Sequence, residues 1–251
     1  MRFAKPVSLF LATVATLAIT AGAAFSQVEN VQGYHGHYVI DMATGNVLRS
    51  PVPNEISLGT DVYNNIASPA LFAVSSTDLA SVWGDELFTT SIGTLEENNF
   101  TVYNSGSSAG PLLTATVVVQ FFNFVTSANL GGYSTNINFG AGLPVGFFST
   151  ISVVNLSSLA INLNVTDIVV TQTVTARTGT ANRLGVVSLS PPTVGTSPTS
   201  MFVSSSTIGG GVAGFYTFQN GPADPGYRVA VNPPVTPTRG TSWGRVKSLY
   251  R

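Results

Sequence analysis

The chain has 251 residues, 44% of them hydrophobic and only 8% charged, with a formal net charge of −1. That is too apolar for a disordered chain, and its positive charges are too dispersed for a nucleic-acid binder. An average globular protein is about a quarter charged, so Ser, Thr, Asn and Gly must wet this surface; with Val and Phe they suit strands and turns and disfavour long helices.

Arg2 and Lys5 precede an apolar stretch from Val7 to about Phe25, and Ala24-Phe25-Ser26 places small residues at both positions a signal peptidase reads. This predicts a signal peptide over 1–26, cleavage before Gln27, and a secreted or cell-surface product. The competing reading, a membrane anchor, fits the length of the run but not its Ala/Thr content or the cleavage site that ends it. No second apolar run follows, so no membrane span is expected after cleavage. Cysteine is absent, which excludes disulfides, thiolate metal sites and a cysteine nucleophile. Exported animal proteins lean on disulfides, so a bacterial product is expected. A mature chain of about 225 residues is large enough to do without them.

Residues 27–58 read as an N-terminal hairpin segment, with Tyr38-Val39-Ile40-Asp41 and Val47-Leu48 flanking a turn at Met42–Asn46. On an extended strand His35 and His37 share a face, and Asp41 has the same parity, a pattern that would suit Zn²⁺ or Cu²⁺ if further ligands joined. With Gly33 and Gly36 alongside, a mobile arm is the simpler expectation.

Residues 59–231 read as one β-sandwich domain. Strands are predicted at Asp61–Asn65, Ala70–Val74 and Thr101–Tyr103, with Thr77–Leu87 carrying some helix-tolerant residues. Leu113–Val125 is apolar on both faces, as in a covered central strand. Ile161, Leu163 and Val165 alternate with polar residues, and the apolar parity shifts at Asp167-Ile168, which predicts one continuous strand with a bulge there. Further strands are predicted at Leu184–Leu189, Phe215–Phe218 and Tyr227–Val231, broken by Ser190-Pro191-Pro192 and Gly221-Pro222. Short strands between Gly/Pro turns mean an all-β, antiparallel sandwich or jelly roll. Residues 232–251 form a Pro-rich linker and a basic-aromatic tail.

Charge is unevenly distributed. From Glu29 to Phe100 there are nine acids and one base, Arg49; from Thr101 onward there are two acids, Asp167 and Asp224, and seven bases. Either the two halves interleave in one sandwich and the charges mix, or complementary poles favour self-association.

Two motif matches carry no chemistry. Gly240-Thr241-Ser242-Trp243-Gly244 has the nucleophile-elbow spacing but no histidine downstream, and Gly209, Gly211 and Gly214 lack a βαβ context and read as a hairpin loop. No catalytic or organic cofactor-binding residue is assigned. Asp61, Asp78, Asp85 and Glu86, with Asn64 and Asn65, offer hard oxygens for a structural Ca²⁺, against the alternative of solvated loop charge. Asp85/Glu86 or Glu96/Glu97 would serve a glycosidase only if paired across a cleft. Trp83, Tyr133, Tyr216 and Trp243 could stack on sugar rings, although aromatics on strands more often pack inward.

The runs Asp61-Val62-Tyr63-Asn64-Asn65, Gly84-Asp85-Glu86-Leu87, Arg183-Leu184-Gly185-Val186-Val187 and Pro191-Pro192-Thr193-Val194-Gly195 resemble a family of secreted bacterial β-sandwich domains. Met201-Phe202, Gly214-Phe215 and Tyr227–Val231 follow in the same order, so the resemblance covers about residues 59–231. The family is common among planctomycete-like genomes and often ends in a PEP-CTERM sorting tail, which the closing segment here does not match. The resemblance implies an exported sandwich of unassigned activity and no catalytic residues. The expected function is therefore structural or adhesive, in the envelope or extracellular matrix, with polysaccharide or envelope proteins as partners. Carbohydrate-binding and hydrolytic roles are the alternatives.

Overall fold

The computed structural model describes residues 28–50, 58–218 and 220–234. Both the expected signal peptide and the basic-aromatic tail, with Trp243 and the Gly240–Gly244 motif, lie outside the described residues. In chain order the strands are β1 (Val28–Glu29), β2 (Gly33–Asp41), β3 (Val47–Ser50), β4 (Thr60–Asn64), β5 (Ala70–Ser76), β6 (Val82–Phe88), β7 (Gly93–Asn104) and β8 (Leu112–Asn123). They continue with β9 (Asn129–Leu143), β10 (Phe147–Val154), β11 (Asn162–Leu163), β12 (Asp167–Gly179), β13 (Leu184–Leu189), β14 (Met201–Ser204), β15 (Gly214–Tyr216) and β16 (Tyr227–Asn232).

They form two sheets face to face. The first runs β1-β5-β13-β7-β10-β2-β3, with β11 and β16 also on β7 and β4 on β16; the second runs β15-β14-β6-β12-β8-β9. All pairings are antiparallel except β2 with β10, which is parallel. The fold is the expected all-β sandwich. No helix of the described residues is long and apolar enough to cross a membrane.

Strand chemistry explains the layers. In β8, Ala115, Val117, Val119 and Phe121 are fully buried, while Thr114, Thr116, Val118 and Gln120 on the other face are half-buried. Its neighbour β9 alternates without a break: Tyr133, Thr135, Ile137 and Phe139 point inward and Ser134, Asn136 and Asn138 outward. Inward residues of both sheets meet in one core that includes Phe100, Val102, Val119, Phe121, Ile137, Ile151 and Tyr227. A second cluster around Phe72, Trp83, Met201 and Val203 fills the end covered by β14. Close approach at β13 demands glycine: a Cβ on Gly185 would overlap the Val74 carbonyl and lie 2.7 Å from the Ser75 Cα.

Several expectations are corrected. Residues 82–88 form a strand, because Trp83, Asp85 and Leu87 alternate inward with period two. The Thr101–Tyr103 strand begins eight residues earlier in the chain than its apolar part suggests, at Gly93 within β7. Residues 161–170 are not one bulged strand. Leu163 in β11 pairs with Gly93 in the first sheet, whereas Asp167 opens β12 in the second. The parity shift marks a change of sheet: each strand must turn its apolar side to the same core from opposite directions. Ile161 and Leu163 are buried as expected, and Val165, in the crossing, is partly buried against the core. The N-terminal hairpin forms as expected from β2 and β3, but residues 33–37 are no mobile arm, since β2 pairs along its whole length with β10.

Candidate functional site

The residues expected to bind metal are placed in separate surroundings. On β2 the register against β10 slips between Tyr34 and Gly36, and this bulge breaks the alternation that would have aligned His35 with His37. His35 Nε2 accepts from Arg49 Nη2 at 2.9 Å, and buried His37 Nε2 shares a 2.7 Å hydrogen bond with Ser152 Oγ. Desolvation, helped by Arg49 at His35 and by Arg228 at His37, lowers both imidazole pKa values. Asp41 lies four residues beyond His37, roughly 13 Å along the strand. It caps the hairpin turn by accepting from Ala43 N at 2.8 Å. A His35/His37/Asp41 centre is therefore not assembled.

The acids of the expected calcium set are likewise dispersed. Asp61 Oδ1 pairs with Arg228 Nη2 at 2.7 Å. Asp78 clamps the loop after β14, accepting from Ser206 N and Oγ at 3.0 and 2.8 Å, and these bonds lower its pKa. Asp85 and Glu86, consecutive on β6, point to opposite faces of the sheet. Among the described residues no group of three or more His, Cys, Asp or Glu gathers to hold a metal. Glu96 and Glu97 make no acid pair either: Glu96 accepts from Asn232 Nδ2 at 2.6 Å, and Glu97 from Arg228 Nη1 at 2.7 Å. Trp83 and Tyr133 are buried in the core, so they offer no stacking strip.

A different surface emerges on the outer face of the second sheet, where strand register aligns short polar side chains in rows. Asn138, Thr114 and Thr178 stand side by side across β9, β8 and β12, and Asn136, Thr116 and Ala176 form the next row. The Thr114 and Thr178 hydroxyls share a 2.7 Å hydrogen bond. Ser134, Val118, Thr173 and Val82 follow, then Gly132, Gln120, Thr171, Gly84 and Phe202. Hydroxyls and amides thus cover a broad pleated face that the glycines keep low.

This face ends in an acid pair beside phenyl rings. Glu86 on β6 and Asp167 on β12 are partly buried neighbours at the end of this face, and each carboxyl acts on the other. Desolvation and the Asp167 charge push the Glu86 pKa up to about 7. Phe202, Phe215 and Phe124 form an edge-to-face chain with centroid separations of 5.5 and 6.1 Å. Neither the rows nor the pair was foreseen. The TATVVVQ and TQTVT runs carry a polar period-two signal, but pairing of Glu86 with Asp167 depends on a register between strands 80 residues apart.

A third grouping is internal. Asp85 is fully buried between the sheets, and neither of its oxygens makes a hydrogen bond of normal geometry, although the Glu86 N–H and the Ser197 hydroxyl lie close enough to favour its charged form; Asp224, also buried, leaves Oδ1 without a partner. Burial and the neighbouring Asp224 charge raise the Asp85 pKa well above the carboxylate range, and burial raises that of Asp224.

The fold and this surface define a two-sheet β-sandwich whose outer face bears rows of hydroxyls and amides and ends in an acid pair. Comparisons with protein families, with curated proteins and with solved structures find no match to this chain.

Proposed function

We propose that the protein is an exported, non-catalytic structural or adhesive component of the cell envelope or extracellular matrix, and that the outer face of the second sheet is its contact surface. The observation that carries this reading is the row pattern Asn138–Thr114–Thr178 and Asn136–Thr116–Ala176, a flat array of neutral donors and acceptors. Such groups exchange hydrogen bonds with a neutral, hydroxyl-rich polymer at little desolvation cost. The leader-like residues 1–26 and the resemblance to secreted sandwich domains support export.

The same rows favour a polysaccharide over an apolar partner, which is the carbohydrate-binding version of this reading. A hydrolytic role draws on the Glu86–Asp167 pair alone. The two carboxyls sit on one sheet face, whereas a glycosidase sets its pair across a cleft.

The test is retention of the purified chain on insoluble polysaccharides and on whole envelopes, compared with a Thr116→Arg/Asn136→Arg double variant. Asn136 is exposed and Thr116 half-buried, both on the outer face, so the variant should fold. Binding should fall at least tenfold; equal retention of both proteins would refute this surface.

A further inference from the structure

The buried pair Asp85 and Asp224 lies where three chain segments meet. Asp85 projects inward from β6 between Trp83 and Leu87, and Asp224 sits in the loop entering β16. The third segment, between β13 and β14, supplies Ser190 and Ser197, both acting on the Asp224 carboxyl; Ser197 also acts on Asp85 and shares a 3.0 Å hydrogen bond with the Tyr63 hydroxyl. That segment has little regular structure and is held by single bridges, Val194 to Asn64 and Thr196 to Phe88.

Two ionised carboxylates in such a site would be strongly disfavoured without a counter-charge. Among the described residues no ion pair includes Asp85 or Asp224. A proton on one of them is one solution, and a bound cation is the other. Both Asp85 oxygens and Asp224 Oδ1 are buried without a hydrogen-bond partner, and the two carboxyls repel through space. Buried carboxylate oxygens with open lone pairs and hydroxyl oxygens from Ser190 and Ser197 nearby are a donor set for a common cation. The donors are all hard oxygens, which select Ca²⁺-like ions over softer metals.

We propose that Asp85 and Asp224, with Ser197 and Ser190, form a buried site for a divalent hard cation, and that calcium bound there fastens the 190–200 segment and the loop before β16 to the second sheet. The cation balances the two carboxylates and occupies their open lone pairs. Its role is to order loops, and it is separate from the outer-face contact surface. It also replaces the calcium set expected from sequence: Asp85 is a ligand, while Asp61, Asp78 and Glu86 are not.

The test uses the full chain, stripped with EDTA and then titrated with Ca²⁺, Mg²⁺ or Tb³⁺. Tyr63 and Tyr227 both lie within electrostatic range of Asp85, so excitation of tyrosine should sensitise Tb³⁺ emission, and excess Ca²⁺ should quench it. Calcium should raise the melting temperature by several degrees, and Asp85→Asn and Asp224→Asn should each abolish both the emission and the shift. The emission is read on the unaltered protein, so the test survives a variant that fails to fold. Absence of emission and of a calcium-dependent shift in the unaltered chain would overturn the site. So would a shift that persists in folded Asp224→Asn, since the ion would then bind elsewhere.

Discussion

Glu86 titrates close to neutrality, and the direction of its effect follows from linkage. Its pKa is about 7 in the fold against 4.5 for an ordinary glutamate, so the folded state holds this proton more tightly than the unfolded chain. The stabilisation is complete below about pH 4.5, where both states are protonated, and is lost as pH rises towards 7. The melting temperature should therefore decline between these values. Glu86→Gln, which keeps the side chain's shape without titrating, should flatten that decline. A pH series of thermal melts on both proteins checks this; an identical slope would show that Glu86 does not carry the decline. Glu86 keeps part of its surface in solvent, which screens the interaction, so the effect is a slope and not a collapse. Its pairing with Asp167 was not legible in the sequence, because neighbouring residues on separate strands are set by register. The inward alternation of Trp83, Asp85 and Leu87 was legible in principle, yet a charged residue at its centre argues against a buried strand unless the compensating group is known.

At the scale of elements, β9 and β12 show where periodicity is reliable and where it misleads. Tyr133, Thr135, Ile137 and Phe139 form an unbroken inward series, but five glycines and asparagines from Asn129 to Asn138 mask the strand in a reading weighted to Val and Ile. The alternation makes a sharp prediction. Ile137→Ala, fully buried, should cost about 2–5 kcal/mol, whereas Asn136→Ala, one residue away on the outer face, should stay within about 0.5 kcal/mol. Urea denaturation of the two variants measures both, and comparable losses would mean that the register of β9 is wrong by one. In β11 and β12 the period was read correctly but attributed to one strand. A bulge and a change of sheet leave the same one-residue signature in sequence, and only the partners, Gly93 for Leu163 and Phe88 for Asp167, separate them.

Across the whole molecule, the uneven charge distribution resolves into internal pairing. Arg228, from the basic half, is buried with Glu97 and Asp61 from the acidic half, at 2.7 Å to each. Arg183 reaches Glu29 at 3.4 Å, and the same carboxylate accepts from Ser105, the Gly106 backbone and Tyr103. These contacts join opposite ends of the chain in one sheet. Unfolding should accordingly be a single cooperative transition, with calorimetric and van't Hoff enthalpies equal. A separate low-temperature transition for residues 28–50 would show instead that the β2–β3 hairpin is an independent unit. Arg228→Ala should lower the one transition strongly, because it leaves Glu97 buried without its cation, a loss of about 3–5 kcal/mol.

By itself the sequence determined the class of this protein. Sparse charge, abundant Val, Thr, Asn and Gly, and short runs of period two leave a sandwich as the way to bury the apolar side of each strand, and the leader-like N-terminus sets the expectation of export. Those properties are local and survive without knowledge of neighbours. Tertiary structure alone decided which strands share a sheet, which face of β8 and β12 meets solvent, and which acids meet. Buried Asp85 lies within electrostatic range of Asp224, 139 positions away in the chain. Pairing across that separation is fixed by strand order and by the shape of the 190–200 segment. Neither leaves a periodic trace in the residues themselves.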